Sequence, residues 1–179
     1  NNIIDARVVA GSVDLFEIRT ANSASNLIDH FVFRNNDITF TSATGFGRFF
    51  QYAALGIGST QFIFENNNVT YDLPTGVFME FVGLLANQHL MNAQITNNVI
   101  NNPNAGAPGN ILFAVENECV NIDGNALTNT NIFLGAFGPF FFEASPGSAA
   151  LMSAANSGAP VTAAGPVNFN ATLPSPPCL

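Results

Sequence analysis

Apolar and polar positions alternate along this chain in short runs, and the runs return at a nearly constant interval. Four segments carry one pattern: Phe33-Arg-Asn-Asn-Asp-Ile-Thr, Phe64-Glu-Asn-Asn-Asn-Val-Thr, Ile95-Thr-Asn-Asn-Val-Ile-Asn and Ile122-Asp-Gly-Asn-Ala-Leu-Thr. Their leading apolar residues stand 31, 31 and 27 positions apart. An Asn follows three residues later in each (Asn36, Asn67, Asn98 and Asn125), and two residues beyond it comes an aliphatic: Ile38, Val69, Ile100 and Leu127. The opening Asn1-Asn2-Ile3-Ile4-Asp5 matches the second half of the pattern, with Asn2 in the Asn36 place. A second landmark is a Gly that opens an apolar run at Gly11, Gly45, Gly76 and Gly109, spaced 34, 31 and 33 apart. Two landmarks with nearly one period define a repeat.

The residues inside the repeat predict strands. Phe, Val, Ile and Thr at alternating positions fit a pleated, half-buried surface, and the Gly and Asn between the runs supply turns with positive φ. No segment has a helical 3.6-residue period of useful length, and the Asn, Gly and β-branched content argues against helical repeats. Strands recurring at one period, with a turn Asn at a fixed offset, predict a coil whose turns stack and pair as parallel strands about 4.8 Å apart. About four full turns are expected, plus the partial one at the start. Phe33/Phe64, Phe40/Tyr71 and Phe50/Phe81 recur at the interval that separates Asn36 from Asn67, which predicts aromatic stacks through the core.

Composition changes this picture little but narrows what the chain binds. Of 179 residues, 25 are Asn and 18 are Phe, and Trp is absent. Enough apolar surface is interleaved with the Asn to offset the entropy of ordering. Twelve acids stand against four arginines and no lysine, for a net charge of −8. All four arginines lie in residues 1–48, so residues 49–179 carry seven acids and no base. Nucleic acid and anionic membrane are therefore poor partners. No apolar run reaches the roughly 18 residues of a membrane span, and no secretory signal stands at the N-terminus.

The unit Ile95-Thr-Asn-Asn-Val-Ile and its three relatives resemble the repeat of right-handed parallel β-helices of the pectin-lyase-like superfold. The resemblance covers roughly residues 1–142. It implies an all-β solenoid of about four to five turns. It also implies that the repeated Asn sits in the turn between two sheets and stacks as an internal ladder, here Asn2, Asn36, Asn67, Asn98 and Asn125. Stacked buried amides can satisfy one another along the coil axis. The turns are longer than that family's usual rung, so loop must bulge from one side, most clearly at residues 20–30.

After Asn131 the pattern dissolves into a very apolar stretch, residues 132–143, expected as a last strand under a cap, with an exposed self-association surface as the other reading. Residues 1–143 then form the coil and residues 144–179, rich in Ala, Ser, Gly and Pro, a C-terminal capping tail. Cys119 and Cys178 are the only cysteines. With no metal-like spacing, a disulfide that docks the tail is the simplest pairing, and it places the protein in an oxidising compartment, extracellular or at a cell surface. Asn68-Val-Thr and Asn170-Ala-Thr match glycosylation sequons, a weak signal in so Asn-rich a chain.

Chemistry is sparse. Carbohydrate-cleaving relatives of the resembled superfold cluster carboxylates on one sheet face. Here Asn121-Ile122-Asp123 matches only a fragment of the polygalacturonase-type set. Glu116 and Glu118 share a strand face and are expected as solvated carboxylates. His30 and His89 occupy non-equivalent places and are expected at the surface or in loops. No cofactor, metal ligand set or catalytic residue is expected. The expected function is a non-catalytic extracellular structural or adhesive β-helix. It would form a homo-oligomer or filament through its coil ends or belong to a longer surface protein, with a glycan or host-surface ligand open. The alternative is a carbohydrate-active, tailspike-like β-helix.

Overall fold

A computed structural model describes residues 2–8, 13–19, 27–42, 46–54, 58–73, 75–83, 89–106, 109–114, 117–135, 141–174 and 178. The chain is a parallel β-solenoid of about four turns. Its strands fall in triplets: β1 (Ile3–Val8), β2 (Val13–Arg19) and β3 (Leu27–Arg34), then β4 (Asp37–Ser42), β5 (Phe46–Ala54) and β6 (Gly58–Glu65). The next turn has β7 (Asn68–Asp72), β8 (Thr75–Gly76), β9 (Met79–Gly83) and β10 (His89–Thr96). There follow β11 (Val99–Asn101), β12 (Gly109–Ala114) and β13 (Asn117–Asp123), then β14 (Ala126–Thr128), β15 (Thr130–Gly135) and β16 (Phe142–Ser145). A short helix α1 (Ala149–Ala155) and strands β17 (Val161–Ala164) and β18 (Asn168–Phe169) end the described fold.

Three parallel sheets result. The first runs β1-β4-β7-β11-β14, the second β2-β5-β9-β12-β15-β17 with β8 beside β5, and the third β3-β6-β10-β13-β16-β18. Between the third and first sheets the turn is tight. Asn35, Asn66 and Asn97 hold φ of 56°, 56° and 57°, and Gly124 holds 69°, each immediately before a repeat Asn. Asn and Gly are the residues that enter this left-handed region at least cost. A Cβ on Gly124 would also lie 2.6 Å from Asn97 Oδ1.

The aliphatics two residues after each Asn form one inward column in register, Ile4-Ile38-Val69-Ile100-Leu127, the last four buried. Aromatic rings fill the early turns. Phe33 and Phe64 lie 6.0 Å apart, Phe81 and Phe113 4.5 Å, and Phe40 pairs in register with Tyr71. A constant interval misreads the second sheet, however. There Phe50 opposes Met79 and Tyr52 opposes Phe81, two positions short of the expected match. Phe50 and Phe81 still touch, diagonally, at 5.5 Å. Gly76 likewise faces Gly47 and not Gly45, which lies outside the described residues. Hydrogen-bond register between strands, and not a constant period, sets the alignment, because the connecting segments differ in length.

Three expectations are corrected at the loop and the tail. Residues 27–30 of the expected loop are strand, since Leu27–Arg34 pairs residue by residue with Gly58–Glu65; residues 20–26 lie outside the described set. The pattern does not dissolve after Asn131: the apolar stretch divides between β15 and β16, whose Ile132, Leu134 and Phe142 are buried. The boundary at residue 143 falls inside β16, and the tail itself continues the coil. β17 pairs with β15 and β18 with β16, so edge strands supply the pairing that the tail's composition does not advertise. Helix α1 forms on Ala149-Ala-Leu-Met-Ser-Ala-Ala, good helix formers, with Ser148 as N-cap accepting from the Leu151 N–H at 3.1 Å. It buries Met152 against the end of the core.

Candidate functional site

The repeat asparagines stack as a directional amide ladder. In each step the backbone N–H and the Nδ2 of one Asn both donate to the Oδ1 of the next. The pairs are 3.3 and 3.1 Å from Asn2 to Asn36, 2.9 and 2.9 Å from Asn36 to Asn67, and 2.8 and 3.0 Å from Asn67 to Asn98. From Asn98 to Asn125 they are 2.9 and 2.8 Å. The second Nδ2 hydrogen of Asn67, Asn98 and Asn125 reaches back to the carbonyls of Phe33, Phe64 and Ile95. Asn36, Asn67, Asn98 and Asn125 are buried, and Asn2 is exposed. A buried amide so fully paired avoids the desolvation cost of an unmet polar group.

One rung of the ladder lies outside the expected set. Asn156, just after α1, accepts from the Asn125 N–H and Nδ2 at 3.2 and 2.7 Å. Its own Nδ2 donates to Ile122 O and Met152 O. The helix inserted between Ser145 and Asn156 hides it from a search for a tight turn; its one sequence signal is a separation of 31 from Asn125.

Cys119 and Cys178 form a disulfide. Cys119 alternates with the inward Glu118 and Val120 and so stands on the outer face of the third sheet, yet both cysteines are buried beneath the returning tail. Asn170 N–H donates to Ala144 O and Ser145 Oγ to Ala171 O, which lays the tail along β16. Between tail and sheet lies a groove of about 260 Å³, lined by Gln94, Asn121, Asp123, Ser145, Thr172 and Leu173, with Ala171. Asp123 is exposed at its rim.

The remaining candidates are separated by the fold. Glu118 is not a solvated carboxylate: it is fully buried, because it shares the parity of Val120 and Ile122 on the inward face of β13. Glu116 lies outside the described residues. His30 is exposed, with Nδ1 2.9 Å from Gln61 Oε1. His89 is not at the surface. It opens β10 with the parity of Met91 and Ala93, is fully buried, and holds Nε2 2.8 Å from Thr60 Oγ1 and 3.2 Å from Tyr52 Oη. That parity was the available signal for both residues.

Tyr52 Oη also lies 2.5 Å from Thr60 Oγ1 and 3.4 Å from Asp29 Oδ2. Burial, with a smaller push from the Asp29 carboxylate, raises its phenol to about 12 against the relief from Thr60. Tyr71 is likewise raised to about 12 by burial, which outweighs its bonds to Thr130 and Asn102. Its ring lies so close to Gly109 that a Cβ there would sit 2.0 Å from Tyr71 Oη. Both phenols stay neutral through the physiological range and act as hydrogen-bonding struts inside the coil. On the outer surface Arg34 pairs with Glu65 at 2.9 Å, and Arg48 bridges Asp14 and Glu80 at 3.5 and 3.1 Å. Among the described residues no group of three or more His, Cys, Asp or Glu is placed to hold a metal ion, and no helix is long and apolar enough to cross a membrane.

The fold therefore defines a parallel β-solenoid with an internal amide ladder and a disulfide-pinned end. In comparison with known proteins, no family model, no curated protein and no solved structure matches this chain.

Proposed function

We propose that this chain is a non-catalytic structural or adhesive segment of an extracellular or cell-surface protein, a relative in architecture of the pectin-lyase-like β-helices. The observation that carries this reading is the internal amide ladder: the repeated polar groups of the coil are used on one another along its axis from Asn2 through Asn125 to Asn156, and the end bearing α1 is pinned by a disulfide. Each sheet ends in a strand paired on one side only, β1, β2 and β3 at one end and β14, β17 and β18 at the other, the kind of edge through which stacked coils extend. The disulfide supports an oxidising compartment. The burial of Glu118 and His89 withdraws them from any surface chemistry and gives them to the core.

The groove beside Asp123 favours a second reading, a polysaccharide-binding or polysaccharide-cleaving solenoid. Its amides from Gln94 and Asn121 and the carboxylate of Asp123 are groups that hydrogen-bond hydroxyls. The test is a panel of polysaccharides and a glycan array probed with the purified protein. The structural reading expects no release of reducing ends. Release that disappears in Asp123→Asn would replace it with the carbohydrate-active one.

A further inference from the structure

Elsewhere on the outer surface, neighbouring polar side chains pair across rungs: His30 with Gln61 at 2.9 Å, Asn68 with Asp37 at 3.3 Å and Asn168 with Glu143 at 3.1 Å. The groove between the tail and the third sheet departs from that habit. Gln94 and Asn121 stand opposite each other in register on β10 and β13, and both line it. Yet neither amide, nor the Asp123 carboxylate, nor the Thr172 hydroxyl has a side-chain hydrogen-bond partner among the described residues. The frame around these four groups is bonded without them. Ser145 Oγ donates to Ala171 O at 3.2 Å and the Asn170 N–H to Ala144 O at 2.8 Å. Glu143 accepts from Nδ2 of Asn168 and of Asn170, and the Cys119–Cys178 bond holds the tail beyond. A cleft whose frame is fixed and whose lining is free has little ordering cost left when a ligand enters.

The lining states what the ligand is. Two amides both donate and accept, the carboxylate accepts, the Thr172 hydroxyl does either, and Ala171 and Leu173 offer apolar contact. Hydroxyls carried on an apolar ring match that set, since each hydroxyl donates and accepts at once. Charge narrows it further. Asp123 is the one ionised group of the lining, and no Lys or Arg follows Arg48 in the sequence. Arg34, which shares the row of Asp123, lies three strands away beyond Thr96 and Glu65 and is paired with Glu65 at 2.9 Å. An anionic ligand would therefore meet a carboxylate with no counter-charge, and a cationic one would leave the amide donors unmet.

We infer that this groove is a subsite for an uncharged glycan, which it holds without cleaving. The inference rests on the adhesive half of the structural reading and names its ligand. At about 260 Å³ the groove is smaller than the roughly 300–1,000 Å³ of clefts that enclose a whole ligand, so it takes a short stretch of a chain lying along the sheet. Hydrolysis needs two free carboxyl groups about 5–10 Å apart. Asp123 is the only one in the lining, and Glu143 on β16 is engaged by two amides.

Affinity electrophoresis of the disulfide-intact chain tests this, in gels containing neutral glucan, mannan, galactan or xylan, polygalacturonate, or chitosan. At least one neutral polymer should retard the protein, and polygalacturonate should not. Gln94→Ala and Asn121→Ala should each weaken that retardation by roughly fivefold or more. Thr172→Trp, which fills the groove from the tail side, should abolish it. These residues line an outer face, so the variants should melt close to the parent chain. Retardation by no neutral polymer would overturn the inference, as would retardation confined to polygalacturonate or chitosan. Retardation unchanged in folded Asn121→Ala and Thr172→Trp would place the ligand elsewhere and overturn it too. Reducing ends are measured on the same samples. Their release would remove the structural reading along with this one, whereas loss of binding without release leaves the structural reading standing.

Discussion

The two ends of this coil are made from the same repeat and finish differently. At the closed end the last ladder amide, Asn156, has its donors bound within its own helix and the rung below, and Met152, Leu134 and Phe142 are buried. At the open end Asn2 and Ile18, which head the columns that run to Asn156 and Leu134, remain partly in water. The difference teaches that a stacked coil has no intrinsic stop. Each rung buries one face on the rung before and needs another for its second face. A helix, a change of hydrogen-bond partner and a covalent clasp are what set this end apart from the other.

The largest test of the contrast is the clasp. The cysteines are 59 positions apart, and closing a loop of that size contributes about 4 kcal/mol on the chain-entropy account. Reduction should lower the melting temperature by roughly 8–16 °C, since about 1 kcal/mol moves a domain of this size by 2–4 °C. Exchange should rise first in β16, β17 and β18. Unchanged melting on full reduction would mean that the closed end owes its order to packing alone.

Next come the side chains that close each end. Met152→Ala should destabilise by about 2–4 kcal/mol, because a fully buried side chain leaves a cavity. Ile4→Ala, at a half-exposed position, should cost about 1 kcal/mol or less. Equal losses in chemical denaturation would erase the contrast. The ladder gives a smaller pair. Asn98→Leu strips several hydrogen bonds in the interior and should cost about 1–3 kcal/mol, whereas Asn2→Leu should cost under about 1 kcal/mol. An Asn98→Leu effect near zero would show that the ladder aligns rungs without holding them.

A further effect, confined to alkaline pH, comes from the two buried tyrosines. Tyr52 and Tyr71 have phenols raised in the folded state, so unfolding releases protons once the pH passes the ordinary value of 10.0. The stability they contribute is complete below pH 10.0 and falls as the pH rises towards about 12. As the only tyrosines, they can be followed by phenolate absorbance alongside denaturation. Phenolate appearing near pH 10.0 with the fold intact would refute their burial.

The architecture was legible along the sequence where one residue type performs one task at each turn. The ladder Asn, the left-handed Asn or Gly before it and the aliphatic after it recur because the tight turn has a fixed geometry, and the same side chain must satisfy the same carbonyl each time. The candidate groove was not legible. Asp123 stands out as a fragment of a motif, but Gln94 joins it through the pairing of β10 with β13, and Thr172 only because the disulfide-pinned tail lies along β16. His89 and Glu118 lie inside despite their polarity, and their parity with Met91 and Val120 is the signal in the sequence that places them there.

By itself, then, the sequence determined a stacked parallel coil, its turn chemistry and its cysteine pair, because these depend on local spacing and on residue types with few roles. The tertiary structure alone decided the register of the second sheet, the conversion of an Ala- and Gly-rich tail into β17, β18 and a capping helix, and the common polarity of the ladder steps. Those features depend on which edge or carbonyl is nearest in space. Partners such as Val13 and Gly47, or Glu118 and Phe142, stand a whole turn apart along the chain and meet only after the coil has closed on itself.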